Sequence, residues 1–88
     1  MGYKLIITKA ARDDLTKLDR AVLIVIQARI KRLAEQAESV KHFPLTGQFA
    51  KLYKLRVHDK YRVIYDLQHE KKRVVVVRVG KRDEIYED

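Results

Sequence analysis

The stretch Arg73 to Val79, RVVVVRV, holds four consecutive valines, and no other segment constrains the fold as strongly. β-Branched side chains favour extended backbone. In a strand, alternation sends Val74 and Val76 to one face and Val75 and Val77 to the other. A strand with valine on both faces is covered on both, as a central strand is. A chain of 88 residues buries only about two thirds of the surface that its unfolded form exposes, which gives one thin two-layer core. The sequence therefore reads as a single domain over residues 1–88.

The remaining segments arrange themselves around that strand. Tyr3 to Thr8 is Ile-rich and reads as a short strand, with Thr8 as the N-cap of a helix from Lys9 to Leu18. Ala11, Leu15 and Leu18 form its apolar stripe. Asp19 can cap a second helix, from Arg20 to about Glu38, whose Leu23, Ile26, Ile30, Leu33 and Ala37 share one face. The two make an αα-hairpin. Val22 to Ile26 is apolar all round; the expectation is a helix start buried on several sides, the alternative an exposed patch awaiting a partner. His42 to Gln48 contains the only proline and reads as a loop. From Leu52 to Val57 the period becomes two, with Tyr53, Leu55 and Val57 on one face and Leu52, Lys54 and Arg56 on the other. His58 to Lys60 is a hairpin turn, and Tyr61 to Leu67 is the next strand, with Arg62, Ile64 and Asp66 opposite Tyr61, Val63 and Tyr65. Gln68 to Lys71 turns into the valine strand, which Gly80 is expected to interrupt. The order β-α-α-β-β-β predicts an α+β fold: a mainly antiparallel four-stranded sheet packed against an N-terminal helical hairpin.

Composition removes several functions. There is no cysteine and a single serine, Ser39, so disulfides, thiolate zinc and a serine triad find no support. His42, His58 and His69 show no metal-ligand spacing. The longest apolar run, Ala21 to Ile26, is far short of the roughly 20 residues that cross a bilayer. No leader-like core follows Met1, so the expected compartment is the cytoplasm, with no membrane partner and no cofactor. The net charge of +8 is unevenly spread. Residues 1–40 carry 8 basic and 5 acidic side chains, residues 41–82 carry 12 and 3, and the last six residues carry four acids and no base. The excess belongs to the strand-rich half, and such a surface suits a polyanion, because each phosphate neutralised releases condensed counterions.

Alternation gathers Lys54, Arg56 and Arg62 on one sheet face, where adjacent like charges cost stability unless an anion answers them. The alternative is a set of snorkelling stems that cover apolar surface. Gly80-Lys81-Arg82 adds cations just past the valine strand, and Tyr86 offers a ring and a hydroxyl. An arginine and an aromatic in one cleft are a usual means of holding a splayed nucleotide. Self-cleavage of RNA by its own 2′-hydroxyl is one reaction that needs only such groups: a base for the 2′-OH, cations for the phosphorane and an acid for the departing 5′-oxygen.

The ordered set Leu52-Tyr53-Lys54-Leu55-Arg56, Tyr61-Arg62-Val63-Ile64-Tyr65, Val79-Gly80-Lys81-Arg82 and Ile85-Tyr86 resembles the RelE branch of the RelE/ParE toxin superfamily. Leu5, the Leu15-x-x-Leu18 helix and the Pro44-Leu45-x-Gly47 loop extend the likeness over essentially the whole chain. The resemblance implies the toxin of a type II toxin-antitoxin pair: a metal-independent mRNA interferase that cuts message in the ribosomal A site. Its implied partners are a RelB-like antitoxin that folds on binding, the ribosome and mRNA. It also implies catalytic positions at Lys54, Arg56, Arg62, Arg82 and Tyr86. Arg56 stands where the best-studied members carry lysine; an arginine binds phosphate but is a poor base, which shifts that role to Lys54. Lys51, Lys60, Arg78 and Lys81 are further candidate RNA contacts. Two alternatives stay open, a ParE-like inhibitor of DNA gyrase and an inactive RNA-binding relic of the fold.

Overall fold

The computed structural model describes residues 2–47 and 50–85. Its elements are β1 (Lys4–Ile7), α1 (Lys9–Thr16), α2 (Arg20–Glu35), β2 (Phe43–Pro44), β3 (Tyr53–Val57), β4 (Tyr61–Gln68), β5 (Arg73–Lys81) and α3 (Arg82–Ile85). The sheet order is β1-β5-β4-β3-β2, with β1 parallel to β5 and every other pair antiparallel. The α+β class and the helical hairpin are as expected.

The valine strand is interior, between β1 and β4. Val74 and Val76 are fully buried against the helices, while Val75 and Val77 are half-buried on the other face. One core cluster joins Ala11, Leu15, Ile26 and Ile30 to Val57, Val63, Val76 and Val79. A second joins Tyr3, Leu33, Ala34 and Ala37 to Tyr65 and Val74. Both lie between the helical hairpin and the sheet, and together they contain the apolar stripes read from the helix period.

Thr8 caps α1 as the sequence indicates. Its Oγ1 accepts from Ala11 N at 3.2 Å and donates to the carbonyl of Val77 at 3.1 Å, so one side chain ties helix start to sheet. Asp19 precedes α2 but makes no side-chain cap.

Five expectations are corrected. The sheet has five strands, because Phe43 and Pro44, expected in a loop, pair with Lys54 and Tyr53. Proline lacks the N–H a central strand needs, and here it sits in the edge strand. The helices stop short: α1 at Thr16, where Lys17 N and Leu18 N turn to the carbonyls of Asp14 and Leu15, and α2 at Glu35, with residues 36–39 as turns. Such three-residue bonds tighten a last turn and satisfy otherwise orphaned carbonyls. Gly80 does not interrupt β5; it pairs with Arg62 and the strand runs on to Lys81. A short helix, α3, follows it. Finally, the Val22 to Ile26 run is not buried all round: Ile26 is fully buried, but Ile24 and Val25 are 55% and 36% exposed. Packed on one sheet, a helix has only one buried stripe, and two of five consecutive residues must face outward.

α3 and the loop before β3 cover part of the sheet face opposite the hairpin. Leu45, Ile64 and Ile85 form a small third cluster there, with Leu52 and Val77 against it. Among the described residues no helix is long and apolar enough to cross a membrane.

Candidate nucleic-acid interface

Cross-strand register sets the site. Arg56 of β3 lies opposite Arg62 of β4, and Arg62 lies opposite Gly80 of β5, so the three make one row across the sheet. Two residues along β3, Lys54 pairs with Ile64 and with Phe43 of β2. Lys54, Arg56 and Arg62 therefore share the face away from the helical hairpin, as the alternation implied.

Arg62 departs from the open cationic face that the sequence evokes. It is only 3% exposed and is the one charged side chain buried among the described residues. Its Nη1 donates to the carbonyls of Tyr61 at 2.9 Å and Asp59 at 3.3 Å, while its Nε is buried with no partner. Among the described residues no carboxylate pairs with it; the two ion pairs there are Arg78–Asp14 and Arg82–Asp83. A guanidinium that is buried, directly opposite a second arginine and not neutralised carries a desolvation cost of several kcal/mol unless an anion completes it.

Arg82 opens α3 just beyond that row. Its backbone N–H donates to the carbonyl of Lys60 at 2.8 Å, which pins α3 to the β3–β4 turn. Its side chain is 59% exposed, with Asp83 a loose 3.6 Å away. Contact between neighbouring exposed charges in water holds an arginine weakly. Lys51, Lys60 and Lys81 are all exposed. Tyr86 lies outside the described residues.

Arg78 does not join this set. The register of β4 and β5 slips at Ile64/Tyr65, leaving Val77 as an extra residue. A bulge of this kind re-aims nearby side chains. Arg78 reaches Asp14 of α1, with Nε–Oδ2 at 2.8 Å and Nη2–Oδ1 at 3.2 Å, and Oδ2 also accepts from Val79 N at 2.9 Å. Burial alone would raise the Asp14 pKa, but the Arg78 and Val79 bonds and the nearby positive charge outweigh it, so the net shift is below the ordinary 3.8. A lowered folded-state pKa means that the carboxylate contributes stability above its unfolded value and loses it as pH falls. The contribution is present in full at neutral pH, begins to drain near pH 3.8 and is gone below the lowered value. Asp14→Ala is expected to cost about 2 kcal/mol of unfolding free energy at neutral pH, despite alanine's better helix propensity. The same comparison at low pH should show the difference shrinking, which denaturant titrations at both pH values would measure.

On the other side of Lys54 the sheet edge opens into a groove. β2 pairs only with Tyr53 and Lys54, so the backbone from Leu55 onward is a free edge among the described residues. Arg29 of α2 reaches across and donates from Nη2 to the Arg56 carbonyl at 3.2 Å. The space beside it, about 430 Å³, is lined by Arg29, Lys41, Phe43, Lys54, Arg56 and Tyr65, together with Leu55. A neighbouring space of about 360 Å³ shares Arg29, Lys41 and Leu55 and adds Arg32. Phe43 is 51% exposed, and Lys41 Nζ lies 5.5 Å from its ring centroid.

Tyr65, on the groove's wall, belongs to a hydrogen-bonded aromatic cluster. His42 Nε2 lies 2.7 Å from the Ala37 carbonyl, which can only accept. In the neutral imidazole the proton is therefore on Nε2, and Nδ1 accepts from the Tyr65 hydroxyl at 2.6 Å. Burial, and secondarily Tyr53, push the Tyr65 phenol above its ordinary value, so it remains a donor. The Tyr53 and Tyr65 rings stack at 5.7 Å between centroids.

The groove was not legible from the sequence. Arg29 lies on the polar side of a helix, Phe43 belongs to a segment that reads as loop, and Lys41 falls between that segment and the helix end. The one usable signal is an aromatic beside the sole proline in a basic stretch.

A family model described as the ParE toxin of type II toxin-antitoxin systems, parDE, matches residues 5–86. No curated protein sequence matches the chain. Among the solved structures similar to the chain are three toxins of this kind. The toxin-antitoxin complex RelBE2 from Mycobacterium tuberculosis shares 29% identity at a TM-score of 0.82, over 93% of this chain and 100% of that one. The isolated RelE toxin of E. coli shares 28% at 0.71, over 96% and 90%. The archaeal RelE-RelB complex from Pyrococcus horikoshii shares 25% at 0.73, over 96% and 99%.

Proposed function

From the premise that the chain belongs to the ParE toxin family of type II toxin-antitoxin systems, we propose that it is a ribosome-dependent endoribonuclease that cuts message in the A site. One observation carries this reading: Arg62, buried, opposite Arg56 and without a carboxylate among the described residues. A surface that keeps such a cation is built for an anion, and in an RNA-cutting toxin that anion is the scissile phosphate.

The reaction is a transfer within the RNA. The 2′-oxygen loses its proton to a base and attacks the adjacent phosphorus; the bond from phosphorus to the 5′-oxygen breaks, and that oxygen takes a proton. The products end in a 2′,3′-cyclic phosphate and a 5′-hydroxyl. Lys54, half-buried at the mouth of the groove, is the general base or its electrostatic aid. Arg62 clamps the phosphate. Arg82, exposed and beside the row, stabilises the phosphorane or protonates the leaving oxygen. Arg56 holds backbone, and Tyr86 stacks on or orients the base. The toxin works in the cytoplasm, where message and ribosomes are.

Its partner is an acidic or amphipathic antitoxin of the RelB kind that folds on binding. The Mycobacterium relative is solved as a toxin-antitoxin complex, RelBE2, and the Pyrococcus relative as a RelE-RelB complex. The description of the matching family favours a second reading, inhibition of DNA gyrase through protein contact. A translating extract, with and without ribosomes, separates the two. The first reading gives cut message ends only where ribosomes are present and leaves gyrase supercoiling unaffected. The second gives intact message and blocked supercoiling.

A further inference from the structure

The groove between α2 and the open edge of β3 is used by none of the catalytic roles beyond Lys54 and Arg56 at its mouth. We propose that it is a track for single-stranded RNA flanking the cut, with Phe43 as the stacking platform and Lys41, Arg29 and Arg32 as the phosphate contacts. The proposal rests on the ribonuclease reading, since it extends the path of the same substrate.

Three observations support it. The two adjoining spaces share Arg29 and Lys41 and run from Lys54 and Arg56 to Arg32, with five cations and no acidic residue on their walls. Phe43 leaves half of an aromatic side chain exposed where a small protein would normally bury it. Lys41 Nζ sits over one face of that ring, 5.5 Å from its centroid, so a base laid on the opposite face has a phosphate-binding cation within reach. A positively charged groove with an aromatic platform is how single strands are held without reading sequence.

An acidic peptide is the competing occupant, and the backbone argues against the mode it would use. A strand added to β3 needs the free edge acceptors, and the Arg56 carbonyl is already taken by Arg29. The cations thus present their charge to a ligand that brings phosphates rather than a hydrogen-bonding main chain.

The test uses the full chain and a labelled single-stranded RNA oligonucleotide that is 2′-O-methylated throughout, so that it binds and cannot be cut. Fluorescence anisotropy against salt is measured for Phe43→Ala and for the double variant Arg32→Ala, Lys41→Ala. All three side chains are exposed, and circular dichroism checks that each variant is folded. Phe43→Ala should weaken binding about five- to tenfold at fixed salt and leave the salt dependence unchanged. The double variant should reduce the slope of log affinity against log salt by about 1.4, from two lost phosphate contacts. Variants that bind the oligonucleotide as the parent does would overturn the groove while leaving the ribonuclease reading intact. The same conclusion follows if they lose affinity only for an acidic peptide, which would assign the groove to a protein partner. A parent chain that binds none of the oligonucleotide would overturn the groove as well, while ribosome-dependent cutting is decided by the translating extract alone.

Discussion

Replacing Arg62 by alanine is expected to lower message cleavage by about two to three orders of magnitude, the usual loss when one donor to a developing oxyanion is removed. The effect on stability should run the other way from an ordinary core substitution. Arg62 is 3% exposed, yet among the described residues its guanidinium meets only two main-chain carbonyls and leaves Nε without a partner. It also lies opposite Arg56. Burial of an unneutralised cation costs more than two such bonds return. Arg62→Met, which keeps most of the side-chain volume and removes the charge, should therefore unfold at the same temperature as the parent or a higher one. Loss of cutting together with undiminished stability is the signature of a residue retained for an anion. If Arg62→Ala cuts within tenfold of the parent, or Arg62→Met is strongly destabilised, Arg62 is a structural residue that fastens the β3–β4 turn.

Arg82→Ala should lower cleavage by about a hundredfold, with most of the loss in the turnover step. The reason lies in how Arg82 is held. Its position is fixed by the backbone bond to Lys60, which alanine keeps, while its side chain is exposed and, among the described residues, tied only to an adjacent aspartate at 3.6 Å. The substitution therefore removes a charge without moving α3. Single-turnover rates at saturating ribosome complex should fall, while affinity for an uncleavable message changes far less. A fall in affinity alone would make Arg82 a binding residue and leave the phosphorane without its second arginine. Arg82→Lys should recover part of the rate, since the positive charge is kept and the fork geometry is lost.

Much of this was legible in the sequence because its periods are clean. The four valines announced an interior strand, the helix stripes announced the hairpin, and two-residue alternation put Lys54, Arg56 and Arg62 on one face. What escaped has local physical causes. Charge alone groups Arg78 with the RNA contacts; strict alternation sets it with Val74 and Val76, on the other face from Lys54, Arg56 and Arg62, and its guanidinium goes to Asp14 of α1. A strand break is the expectation at Gly80, but a glycine with ordinary φ extends readily, and a Cβ placed there would lie in ordinary contact with Ile85 of α3, 3.7 Å away. The depth of Arg62 could not be read either. Period shows which face a residue takes, and not that the Arg62 guanidinium folds back onto the carbonyls of Tyr61 and Asp59 at the β3–β4 turn.

The central claim is that this sheet face directs the 2′-hydroxyl of bound message against its neighbouring phosphate. Its most direct test is a message with a single 2′-deoxynucleotide at the mapped cut, presented on programmed ribosomes beside the all-ribose message. The account predicts that the ribose message gives a 5′ fragment ending in a 2′,3′-cyclic phosphate and that the deoxy message is not cut at that position. Cutting of the deoxy message at the same bond would contradict it, as would intact ribose message under conditions where the chain blocks gyrase supercoiling.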